Sequence, residues 1–80
     1  MSENISSNAL IYAILALNSE ATLQKEYIES PELNPDEREN EEEILNELEQ
    51  AFMEFVSLYK FRRKQDKSLP DIDELLTSQL

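Results

Sequence analysis

The sequence predicts an all-α fold, a long antiparallel helical hairpin followed by a short C-terminal helix, and three observations point to it. The 80 residues include no Gly, one Val and two Thr, so strand-forming and hairpin-turn residues are scarce. Leu, Glu, Ala, Gln and Lys, all good helix formers, are abundant. Apolar residues recur at three- and four-residue spacing along two tracts separated by Pro31 and Pro35.

Residues 1–80 read as one small helical domain. A chain of this length buries only about 60% of the surface its unfolded form exposes, so its core is marginal. Helix one is expected at about 8–29, with Ser6, Ser7 or Asn8 as the N-cap. Pro31 stops it, because the residue before a proline avoids the helical region. An acidic linker follows at about 30–34. Helix two, about 35–65, opens on Asn34-Pro35-Asp36-Glu37: an N-cap Asn, a Pro at the first helical position and a Glu placed to complete a capping box. Its acidic start and basic end (Lys60, Arg62, Arg63, Lys64) both suit the helix dipole. The third helix, about 70–78, begins on Pro70 with Asp71, Asp73 and Glu74 in its opening turn.

Hydrophobic patterning sets the expected assembly. Helix one has one stripe at Leu10, Ile14, Leu17, Ala21 and Ile28 and a second at Tyr12, Ala16, Leu23 and Tyr27. Ala9–Leu17 is apolar all round, which predicts burial on every side. In helix two, Ile44, Leu48, Ala51, Phe55 and Leu58 form a stripe flanked by Leu45, Phe52, Val56 and Tyr59. One hairpin satisfies one seam, and the short helix covers part of what remains. A homodimer forming a four-helix bundle is therefore expected, with Leu48, Phe52, Phe55, Val56 and Tyr59 as its interface. Pairing helix two antiparallel with its mate, about a point near Ala51–Phe52, sets Glu43 opposite Lys60, Glu41 opposite Arg62, Glu39 opposite Lys64 and Asp36 opposite Lys67.

Composition removes most chemistry. Eighteen acids against seven bases give a net charge of −11, and His, Cys and Trp are absent along with Gly. No disulfide, thiol nucleophile, zinc-thiolate site, imidazole base or phosphate-cradling Gly loop is available. Carboxylates remain. Glu42-Glu43 is similar to the paired glutamates with which all-α nucleotide pyrophosphohydrolases hold magnesium, but Asn46 stands where that family's pattern has a further Glu, and the pattern's E-x-x-D in a later helix is missing. No enzyme activity, cofactor or metal is expected. The acidic block Asp36–Glu49 has Arg38 as its one base; its plain reading is a solvated helix start, and its functional reading is a dock for a basic protein partner. A mimic of nucleic-acid phosphates, occupying a basic nucleic-acid-binding protein, is the alternative, and a carboxylate-metal hydrolase is the remote one.

Tyr59–Lys64 interleaves aromatics with cations, yet a chain of net −11 repels polyanions, so direct nucleic-acid binding is not expected. The tail places Ile72, Leu75 and Leu76 at i, i+3, i+4, which fits either a cap over the chain's own bundle or a helix for a partner's groove; spare apolar surface favours the cap. The apolar run 9–17 lacks the positive flank of a secretory signal and is far shorter than the roughly 20 residues of a membrane span. A cytoplasmic interaction or regulatory module with no membrane contact is the expectation.

Overall fold

A computed structural model describes residues 5–77. They form α1 (Ser7–Ile28), α2 (Pro35–Gln65) and α3 (Ile72–Thr77), two long helices and a short third. The boundaries follow local chemistry. The Ala9 amide donates to Ser6 Oγ at 3.0 Å, making Ser6 the N-cap of α1. At the start of α2 the Glu37 amide donates to Asn34 Oδ1 at 2.8 Å, and the Asn34 amide donates back to Glu37 Oε1 at 3.3 Å. The capping box is complete. Asn34→Ala should cost about 1 kcal/mol, read as a lower urea midpoint with unchanged slope; an unchanged midpoint would show that Pro35 alone fixes the helix start.

α3 starts two residues later than the Pro70 expected. Asp71 is its N-cap, its Oδ1 accepting from the Glu74 amide at 2.9 Å, which leaves Pro70 outside the helix. The expected end near Ser78 lies outside the described residues.

The two long helices run antiparallel, and three cross-contacts fix their register. An Arg62 guanidinium N–H donates to the Ile5 carbonyl, Gln24 Nε2 to the Glu41 carbonyl at 2.9 Å, and Lys25 Nζ pairs with Glu49 at 3.5 Å. The core sits toward the α1 start: Leu10, Ile14, Val56, Tyr59 and Leu75 form one buried cluster. Ile11, Leu15, Phe52, Phe55, Leu69, Ile72 and Leu76 pack around it, partly covered. The tail is thus a cap on the chain's own core. Leu75 is buried there. Two polar contacts hold the tail: the Tyr59 hydroxyl donates to the Pro70 carbonyl at 2.6 Å, and Arg63 Nε to the Leu69 carbonyl at 2.9 Å.

No residue can provide the Gly that commonly ends a helix. Arg38 does the work instead. Its guanidinium donates to the carbonyls of Ile28, Ser30 and Leu33, the groups left over at the end of α1 and in the linker. The single base of the acidic block is therefore a structural cap.

The open face of the hairpin as candidate functional site

At about 100° per residue, positions on each helix sort into the side facing the other helix and two flanks. One flank is occupied by α3. Lys60, Arg63, Lys64, Lys67, Asp71 and Ile72 line a surface hollow there, and Ile11 and Leu15 of α1 pack against the core from the same flank. Lys25 and Glu49 pair on it too.

The opposite flank has no third helix. From α1 it presents Tyr12, Ala16, Leu23 and Tyr27, and from α2 Ile44, Leu48, Ala51, Phe55 and Leu58. Tyr12 is 65% exposed and Leu23 59%; Tyr27, Ile44 and Leu58 are also exposed, while Leu48, Ala51 and Phe55 are half-buried. The all-round burial expected for residues 9–17 is not met within one chain, because a single neighbouring helix and a short cap cover only the Leu10–Ile14 side. The second stripe of α1 lies in the open.

The interface residues expected from sequence divide accordingly. Val56 and Tyr59 are inside the protomer's own core and have no surface left to give. Phe52 packs against that core from the side facing α1, so a two-fold axis at Phe52 is incompatible with the closed hairpin. Leu48 and Phe55 keep part of their surface on the open flank. The expected charge ladder divides as well. Glu41 accepts from Gln24 Nε2 at 2.7 Å, and Arg62 is held by the Ile5 carbonyl, so each has a partner within the chain. Lys60 and Lys64 fall on the α3 flank, turned away from Glu43. Glu39 and Glu43 are exposed, and with Glu47 and Glu54 they make the outer surface of α2 acidic.

Among the described residues no group of three or more acidic side chains is close enough to hold a metal ion, and no helix is long and apolar enough to cross a membrane. Among the described residues two titrations are displaced. Asp66 lies below the usual carboxylate range because the Ser68 hydroxyl, at 2.6 Å, and then the Ser68 amide donate to it. Burial raises the Tyr59 phenol above its ordinary 10.0, with Asp71, Glu74 and Asp66 adding to the rise and Arg63 opposing it. The neutral phenol is thus favoured by folding. Its contribution is complete below pH 10 and is lost as pH rises from there through the higher folded value. Urea midpoints should therefore fall above pH 10, and fall less steeply in Tyr59→Phe; equal slopes would place the titration elsewhere.

Neither the tail cap nor the role of Arg38 depends on side-chain patterns alone, since both end on backbone carbonyls. For Arg38 the available signal was a lone base inside an acidic run, ten residues past the end of the preceding helix. No family model, no curated protein and no solved structure matches this chain.

Proposed function

We propose that this chain is a non-catalytic protein–protein interaction module that acts by contact through the open face of its hairpin. The observation that supports the reading is the apolar surface that Tyr12, Leu23, Tyr27, Ile44 and Leu58 expose on the flank opposite α3. Large exposed apolar patches rimmed by polar residues mark association sites. Glu43, Glu47 and Glu54 make the outer side of α2 beside this face acidic, while Arg62, in line with Ile44, is held by the Ile5 carbonyl, and such charges suit orientation of a partner more than affinity.

Leu23→Glu tests the reading. Its site is exposed, so the helices should persist by circular dichroism. Association of the full chain with itself or with another protein, read by sedimentation and by capture on immobilised chain, should be lost. Lys64→Glu, on the α3 flank, should leave association intact. A Leu23→Glu chain that keeps every association of the wild type would overturn the proposal. The exposed acids of α2 also support a second reading, the acidic mimic; it requires that a captured protein be basic and be displaced by an oligonucleotide.

A further inference from the structure

We infer that the occupant of the open face is a second copy of this chain, stacked so that α1 of one protomer lies over α2 of the other in an all-antiparallel four-helix bundle. The inference rests on the contact-module reading above and gives it a partner and a geometry. Surface area is the first argument. A globular monomer of 80 residues exposes about 5,000 Å², whereas this chain exposes 5917 Å². The hairpin thus leaves more surface in water than a compact chain of its length, and a standard interface would take roughly 800 Å² of it from each partner. The shape agrees. The Cα extents are 47 × 30 × 15 Å, and the radius of gyration is 15.1 Å, against about 12 Å for a compact domain of this length. The hairpin is a slab one helix thick along most of its length, and a stable domain packs two layers.

Charge selects the arrangement. A two-fold axis across the helices would lay α2 on the partner's α2 and bring the two acidic rims of Glu43, Glu47 and Glu54 together. An axis parallel to the helices instead sets that rim beside the α1 surface of Tyr12, Ala16, Ser19 and Leu23, where Glu20 is the one charge. The register then brings Ala16 level with the partner's Ala51, two small residues where the helices can approach closely. Glu20 is the acid of α1 that the stack would cover, and Arg62 on α2 is already held by the Ile5 carbonyl.

The chain has no Cys, so introduced thiols report the geometry directly. Sedimentation equilibrium of the wild type should give a dimer, and Ala16→Glu should weaken it at least about 100-fold by placing an unpaired charge in the seam. Met53→Glu is the control: Met53 is 58% exposed but lies on the α3 flank, so the dimer should be unaffected. Glu20→Gln should tighten the dimer. When an Ala16→Cys chain is mixed with an Ala51→Cys chain and oxidised, the mixed disulfide should predominate.

Disulfides between two Ala51→Cys chains in its place, a dimer weakened by Glu20→Gln, or Met53→Glu acting as strongly as Ala16→Glu would overturn the stacking. If the wild type is monomeric at high concentration and Ala16→Glu abolishes binding to another protein, the second copy is overturned while the contact module stands. If Ala16→Glu changes no association of any kind, both fall.

Discussion

Ile14→Asp should leave the chain unfolded in water at neutral pH. Ile14 is 0% exposed and sits between Leu10, Val56, Tyr59 and Leu75, so the new carboxylate would be surrounded by hydrocarbon. Two of the nearby cations are already engaged, Arg62 with the Ile5 carbonyl and Arg63 with the Leu69 carbonyl. An unpaired buried charge costs several kcal/mol, against a total stability of about 5–15 kcal/mol that is expected near its lower end in so small a chain. Met53→Asp introduces the same group on an exposed site of α2 and should melt cooperatively with its helix content intact. Circular dichroism of the two variants side by side separates core from surface. A folded, cooperatively melting Ile14→Asp chain would mean that the cluster around Leu10 and Ile14 is not what holds the hairpin closed.

The helices themselves were legible because their signals are local. Ser6, Asn34, Pro35 and Glu37 act within one turn of where they stand, and the structure uses each for the cap its sequence context predicts. Which half of the apolar arc of α2 faces inward was not legible. The arc is wider than one neighbouring helix can cover, and the regular stripe Ile44–Leu48–Ala51–Phe55–Leu58 looks like a seam by spacing alone. The structure turns Val56 and Tyr59 inward instead, because the tail returns over only one flank. The turn after α2 is short and braced by Asp66, whose Oδ1 accepts from Ser68, and Tyr59 and Arg63 then hold the carbonyls of Pro70 and Leu69. Those acceptors are backbone groups, invisible to a reading based on side-chain type. The same blindness applied to Arg38, Glu41 and Arg62, which spacing presents as surface charges and the fold engages within the chain.

Tyr59→Ala should release the tail and lower stability by about 3–5 kcal/mol, the range for truncating a large buried aromatic. Tyr59 is the point where all three helices meet: its ring is 0% exposed within the core cluster, and its hydroxyl donates to the Pro70 carbonyl. Truncation leaves a cavity beside Leu10, Ile14 and Val56 and removes the tether at the tail's entry. Leu75 is buried only because the tail is held there, so its own contribution should be lost with the ring. Tyr59→Phe separates the two effects. It keeps the ring and should cost about 1 kcal/mol, since the Pro70 carbonyl can turn to water when the hydroxyl goes. The Leu75 amide, which donates to the Asp71 carbonyl at 3.1 Å, is the reporter. Its hydrogen exchange should become fast in Tyr59→Ala, while amides of α1 and α2 away from the cluster keep their protection. In Tyr59→Phe the Leu75 amide should remain slow. If it exchanges equally fast in both variants, the hydroxyl tether holds the tail; if it stays slow in both, Leu69, Ile72 and Leu76 hold α3 without Tyr59. The expected ordering, fast in Ala and slow in Phe, makes ring packing the main link between the tail and the hairpin.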